Sequence, residues 1–248
     1  MKTRLLPKKV VILLTVITVN AMIVHAVYSL IISPADDLQG DAVRLLYVHV
    51  PAAWLAYVSF AVTTLCSILY LIPKTRNPVY DILAGASARA GVIFCALTLL
   101  LGALWGKPVW GVYWAWDARI TATAVLLFLY IGYLAIRSLS PTEQAKKRNA
   151  WFALFAFIDV PIVHFSVNWW RTLHQQATVL NPNLKAEISG TMATSLWTGV
   201  IAFSLLYVVM VDRQFRRDSI LSQNASSDLD DQIKERIAQA EQMSGAAK

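Results

Sequence analysis

The sequence predicts an all-α, polytopic membrane protein: six transmembrane helices with a tryptophan-rich loop on the outer, periplasmic face. Three observations carry this expectation. The 248-residue chain is 57% hydrophobic and only 15% charged, whereas soluble domains are about one quarter charged. Six apolar stretches are each close to the ~20 residues that a bilayer-spanning helix needs. The basic residues gather between those stretches, so the net charge of +7 reads as membrane topology and gives no reason to expect a nucleic-acid partner.

The first span is Val10 to Ile32, preceded by Lys2, Arg4, Lys8 and Lys9. A signal peptide also begins with basic residues, and Val24-His25-Ala26 faintly resembles a cleavage site. The run is nevertheless long for a signal core and suits a spanning helix. A polar stretch from Ser33 to Arg44 leads to the second span, about Tyr47 to Ile72. His49 stands at its mouth, and Pro51 falls in the first turn, where proline is tolerated. The third span covers roughly Ala84 to Leu104, with Arg89 near its start. The fourth is about Ile120 to Ile136. A basic loop, Arg137 to Arg148, precedes the fifth span, about Ala150 to Val167, which is the least apolar because it holds Asp159, Pro161 and His164. A polar loop with Pro182 reaches Gly190, and the sixth span is Thr191 to Val211.

Six spans place both termini on one side. Seventeen of the 22 lysines and arginines then fall on that side; only Arg44, Lys107, Arg119, Arg171 and Lys185 fall on the other. The positive-inside bias puts both termini in the cytoplasm. His49, the tryptophan loop and His174 then share the outer face. The chain divides into a transmembrane domain, 1–211, and a cytoplasmic tail, 212–248. In the tail Ser227, Asp228, Asp230 and Asp231 are placed to cap a helix with Leu229, Ile233 and Ile237 on one face. Cys66 and Cys95 lie in separate apolar segments with no metal or haem-attachment spacing, and read as small buried hydrophobes.

Between spans three and four lies the segment Trp105-Gly-Lys-Pro-Val-Trp110-Gly-Val-Tyr113-Trp114-Ala-Trp116-Asp117-Ala-Arg119. Gly106, Pro108 and Gly111 interrupt any regular period, which predicts a shaped loop with room for a short helix. Rigid indole rings suit a large, flat, apolar ligand. An interfacial aromatic belt also uses Trp and Tyr, but it needs no acid or base at a fixed place such as Asp117 and Arg119. Histidines beside such a platform suggest haem, whose iron takes imidazole axially. His49 is the strongest candidate, because a helix N-terminus disfavours imidazolium and a neutral ring keeps its lone pair. His174 lies four residues past Trp170. His164 is buried in the fifth span, and His25 lies deep in the first with no evident partner in the sequence. Haem propionates require cations, and arginine meets a carboxylate with two parallel hydrogen bonds. Arg44, Lys107, Arg119 and Arg171 all qualify, Arg119 being nearest the tryptophans. Asp117 is equally placed to pair with Arg119 and hold the loop closed.

The segment from Trp105 to Arg119 resembles the tryptophan-rich WWD signature of the haem-handling membrane proteins of cytochrome c biogenesis. Tyr47-Val-His49-Val-Pro-Ala-Ala-Trp54 and Asn168-Trp-Trp-Arg-Thr-Leu-His174-Gln are similar to the segments carrying that family's two outer-face histidines. Six spans and about 250 residues match its short, haem-presenting branch. The resemblance runs from the first span to the sixth, and no motif carries over past Val211. It implies His49 and His174 as axial ligands, with His164 outside the pair. It implies that Trp105, Trp110, Trp114, Trp116, Asp117 and Arg119 build the site. The cargo would be b-type haem, transiently held and passed to the membrane-anchored chaperone CcmE, in association with the ABC transporter subunits CcmA and CcmB and the small protein CcmD. The location would be the bacterial cytoplasmic membrane. Haem would dock edge-in against Trp110, Trp114 and Trp116. No nucleophile or general base is required, so a carrier and scaffold is expected rather than an enzyme. Two other readings stand beside it: an electron carrier holding b-type haem between His25 and His164, and a small-solute permease lined by Asp159, Pro161 and His164.

Overall fold

In a computed structural model, which describes residues 4–140, 142–174, 188 and 190–246, the described residues form seven α-helices that make six membrane-length spans. Lys2, Pro182, Lys185 and Lys248 lie outside the described residues.

Helix α1, Lys8–Val27, continues through a π-helical turn, Tyr28–Ile32, and its outward residues are lipid-facing aliphatics. A 3₁₀ turn, Asp41–Leu45, feeds α2, Leu46–Leu71. Pro51 sits beyond the first turn of α2, not in it, so the carbonyl of Tyr47 loses its helical donor. Gly199 presses against that carbonyl: a Cβ there would stand 2.7 Å from the oxygen. His25 meets the same seam, with Nδ1 3.4 Å from Thr198 Oγ1 and its ring edge-on to Phe203. The partner that the sequence did not reveal for His25 is therefore the sixth span, 173 residues away.

Helix α3, Pro78–Trp110, starts earlier and ends later than the apolar run predicts. Asn77 caps it by accepting from the Val79 N–H, and Pro78 occupies the first helical position, where its missing N–H costs nothing. Its end corrects the loop expectation: Trp105 to Trp110 are helical. Gly106 and Pro108 do not break the helix, since Pro108 lies in the last turn and removes a single bond. Gly111 ends it, at φ +80°, the left-handed conformation that glycine adopts freely. The loop itself is only residues 111–117. Helix α4, Ala118–Ser138, begins under an Asp117 cap.

The fifth span is two helices, α5 (Glu143–Phe157) and α6 (Asp159–Trp169), broken at Ile158. Pro161 has no N–H for the Phe157 carbonyl, which accounts for the break. Helix α7, Gly190–Ala246, runs unbroken out of the sixth span, so Ser227 and Asp228 start no new helix; Ile233 and Ile237 are exposed along it.

At the bundle centre α2 and α3 approach closely because α3 carries small residues: Ala84 to Ala88, Ala90 and Gly91. A Cβ on Gly91 would stand 2.5 Å from the Phe60 ring, which itself stacks on Tyr130 at 3.7 Å. Polar groups inside find partners: Ser87 donates to the Ser59 carbonyl, and Arg137 holds Asp81 through two bonds of 2.6 Å. Arg89 reaches α7 at Gln214 and Asp218. Cys66 and Cys95 are buried free thiols, as read from the sequence.

Candidate functional site

The N-terminal halves of α2 and α4 and the C-terminal ends of α3 and α6 enclose an open cavity of about 340 Å³, within the range of pockets for small molecules and cofactors. His49 enters it from the first turn of α2, and His174 from the segment after α6. Trp105 and Trp110 enter from the last turns of α3, Trp114 from the loop and Arg119 from the first turn of α4. The helical end of α3 is what sets the two indoles. Residues 105 and 110 share one rigid element, so each backs a different histidine. Trp105 lies edge-on to His49 with centroids 5.7 Å apart, and Trp110 edge-on to His174 at 4.8 Å. The Trp105 indole N–H donates to Gln39 Oε1 at 2.9 Å.

Asp117 ties the far parts of the site together. Its Oδ1 accepts from the N–H groups of Arg119 (2.8 Å) and Ile120 (3.2 Å), capping α4. Its Oδ2 accepts from the Leu173 N–H at 2.7 Å, which fixes the His174 segment across 56 residues of sequence. His174 Nδ1 stands 3.3 Å from Asp117 Oδ1, at ion-pair distance but short of hydrogen-bond alignment. Burial opposes the charge on Asp117, yet the N–H donors of Leu173 and Ile120, with Thr172 and His174, hold its carboxyl below the usual range. Burial likewise lowers His174, against the pull of Asp117. The pair is thus a carboxylate beside a neutral imidazole. A carboxylate partner on one ring nitrogen orients the other toward a metal.

Arg119 does not pair with the Asp117 carboxylate by its side chain. Its Nη2 donates to the His164 carbonyl at 2.9 Å, and its Nε is buried without a partner among the described residues. Of the four outer cations considered, it alone lines the cavity among the described residues. Arg44 is spent on Asp41 and the carbonyls of Ser29 and Ser33. Lys107 donates to the Gly111 carbonyl and lies over the Tyr113 ring. His49 Nδ1 and His174 Nδ1 are also buried and lack a hydrogen bond among the described residues. Two imidazoles lining the cavity and a guanidinium with an orphaned Nε, between indole walls, fit a planar, metal-bearing, doubly anionic ligand such as haem.

Of the residues singled out above, the structure brings His49, His174, Trp105, Trp110, Trp114 and Arg119 to one cavity, with Asp117 behind it. It does not bring Trp116, which is 84% exposed and meets the edge of Trp114. His164 joins the cavity wall, against Tyr57 at 6.2 Å, although the resemblance left it outside the ligand pair. His25 does not line the cavity, so the described structure gives no His25–His164 site. Gln39, Tyr57 and Gly102 also line it, and no sequence signal points to them.

Gly102 lies on α3 four residues before Gly106, with no motif to mark it, yet a Cβ there would stand 3.1 Å from His49 Cε1. Replacing Gly102 by Ala should push the His49 ring by a few tenths of an ångström, and by Val further. Retention of the ligand should fall in the order Gly, Ala, Val with membrane insertion unchanged. Equal retention in all three would remove Gly102 from the site.

The family model CcmC, heme exporter protein C, matches residues 2–230. The chain is 38% identical over 184 residues to the heme exporter protein C of Bradyrhizobium diazoefficiens, covering 74% of this chain and 69% of that one. It is 33% identical over 207 residues to the heme exporter protein C of Escherichia coli K12, covering 82% and 81%. A putative cytochrome c biosynthesis ccmC-like mitochondrial protein of Marchantia polymorpha is 38% identical over 165 residues, covering 66% and 69%.

Proposed function

The chain belongs to the CcmC family of heme exporter C proteins, and from that premise we propose that it holds haem in the cavity at the outer face of the bacterial cytoplasmic membrane and presents it to the periplasmic chaperone CcmE. The observation that carries this reading is that His49 and His174, 125 residues apart in sequence, line one cavity with Trp105, Trp110 and Trp114. His49 and His174 are the axial ligands. The indoles supply apolar contact, and the orphaned Nε of Arg119 meets a propionate. Asp117 positions His174 and takes no part in binding haem itself. The protein acts as a carrier and scaffold: no residue of the cavity is required as nucleophile or general base. It works with the ABC transporter subunits CcmA and CcmB and with CcmD. The b-type haem is held without a covalent bond, so that it can leave.

The domain division at 211/212 carries over as part of this proposal, with residues 1–211 handling haem and 212–248 cytoplasmic. Both termini lie in the cytoplasm, on the charge distribution given above. A reporter active only in the cytoplasm should work at Lys248 and fail when inserted near Val112; the reverse pattern would remove the haem site from the periplasm.

The tryptophans separate a platform from a belt. Ring stacking is worth roughly 0.5–1.5 kcal/mol beyond area burial, itself about 25 cal/mol per Å². Trp114→Ala should therefore weaken haem retention by more than about tenfold, since 1.4 kcal/mol is a decade, with Trp114→Phe between. Trp116→Ala should do least, because that ring stands outside the cavity. The test of the function as a whole is transfer. Full-length wild-type protein should pass haem to CcmE in the same membranes, and the His49→Ala variant should not. Equal transfer by both would overturn the proposal.

A further inference from the structure

This inference rests on the reading of the cavity as a haem site and concerns how haem reaches it. Two imidazoles satisfy the two axial positions of a haem iron, yet three line this cavity. His164 is left over. Its ring has no hydrogen-bond partner among the described residues and makes only edge contacts, with Tyr57 at 6.2 Å and Phe165 at 4.9 Å. It stands five residues inside the outer end of α6 at Trp169, a depth of about 7.5 Å at 1.5 Å per residue. Trp169 and Trp170 are exposed and suit the interfacial belt, so His164 lies at the depth of lipid rather than of water.

The same region reaches the outside of the bundle. α5 packs on both α2 and α4, whereas α6, past the break at Ile158, packs on α4. Trp54 of α2 lines the cavity and is still 43% exposed; Phe165, beside His164, is 42% exposed. α2 and α6 meet at this depth through Tyr57 and His164, both on the cavity wall, with the exposed rings of Trp54 and Phe165 near them in the chain. The porphyrin faces are apolar and favour lipid, while the two propionates hold that edge at the interface. An ionisable side chain at this depth is otherwise costly to keep.

We propose that haem is loaded sideways, from the outer leaflet through the α2–α6 seam, and that His164 is the first imidazole to take its iron. A lone pair on the His164 ring forms the bond and displaces a weak ligand such as water. That bond breaks as the bonds to His49 and His174 form, and the iron does not change oxidation state.

The experiment follows loading rather than final content. Full-length protein from haem-depleted cells, in phosphatidylcholine nanodiscs, is mixed with phosphatidylcholine vesicles carrying haemin, and the low-spin absorption band is followed in time. His164→Phe keeps the ring against Tyr57 but has no lone pair. It should load more than about tenfold slower than wild type, since a lost metal-binding partner costs of that order, and reach the same final spectrum and amplitude. Ala53→Trp, which adds a ring to the cavity wall beside Trp54, should slow loading as well. Wild-type loading rates in either variant would overturn the proposal. So would a lower final amplitude in His164→Phe, which would make His164 a resident ligand. If wild type itself takes up no low-spin haem, the haem reading has failed, and that outcome is distinct from a failure of the route.

Discussion

Replacing His49 by alanine is expected to reduce haem content per protein to below about a tenth of wild type at matched expression, a loss of more than ~1.4 kcal/mol. His49 offers one of the two imidazoles that the account assigns to iron, and no other residue of α2 in the cavity is a histidine. Its Nδ1 is buried without a hydrogen bond to another side chain among the described residues, so the variant breaks no side-chain network. Insertion and folding should therefore be unaffected, which separates a ligand from a structural histidine. His25→Ala is the control. It would loosen the contact with Thr198 and Phe203 and should leave haem content near wild type wherever the protein is stably inserted. Haem retained by His49→Ala and lost by His25→Ala would move the site away from the cavity.

The second large effect falls on Asp117. Its alanine variant loses a helix cap, worth about 1 kcal/mol. It also removes the acceptor of the part-buried Leu173 N–H, which loosens the segment that carries His174. More important for function, it removes the carboxylate beside His174 Nδ1. Loss of such a partner typically costs about 10–100-fold in metal affinity, and Asp117→Ala should weaken haem retention by that amount. Asp117→Asn can still cap α4 and should recover stability more than affinity. The pH dependence has a definite sign. Burial lowers His174 below its ordinary 6.5, and Asp117 opposes that shift. The neutral, iron-binding ring therefore persists as pH falls through 6.5 and is lost only in more acid solution. Without the Asp117 charge His174 is lowered further, so the acid release of haem in Asp117→Asn should move to lower pH even though binding is weaker. Haem titrated against pH in both proteins checks this; a shift toward higher pH would contradict it.

Much of the architecture was legible in the sequence because spanning a bilayer demands ~20 apolar residues, and six such runs are hard to miss. The helix ends were less so. The polar ends of α3 and α5 hold Asp81 and Lys146, whose partners Arg137 and Glu143 let the helices extend past the apolar runs. Pro108 and Gly106 looked like breakers, but a proline in a final turn removes one bond only, and Gly111 supplied the stop. Pro161 was visible as an irregularity in the fifth span; that α6, beyond the interruption at Ile158, would pack on α4 depends on packing that no local pattern encodes.

The site divides in the same way. The indoles and the two histidines stood out by type. Their grouping depends on contacts between residues far apart, above all the bond from the Leu173 N–H to Asp117, which carries His174 to the cavity. The choice among four cations was open in the sequence; in the structure Arg44 and Lys107 are engaged elsewhere and Arg119 faces the cavity. Trp116 shows the converse: it is alike in type to Trp114 and two residues away, yet it points out of the site. Gly102 left no signal at all, because its role is to be small where His49 passes.

Axial ligation by His49 and His174 is read in the absorption spectrum of the purified full-length protein, with wild type, His49→Ala, His174→Ala and His164→Ala compared side by side. Wild type and His164→Ala should show a low-spin, bis-imidazole spectrum. That spectrum should be lost in both His49→Ala and His174→Ala, with recovery when free imidazole is added. A bis-imidazole spectrum that survives in His174→Ala and disappears in His164→Ala would contradict this ligation, and would place the ligand inside the fifth span.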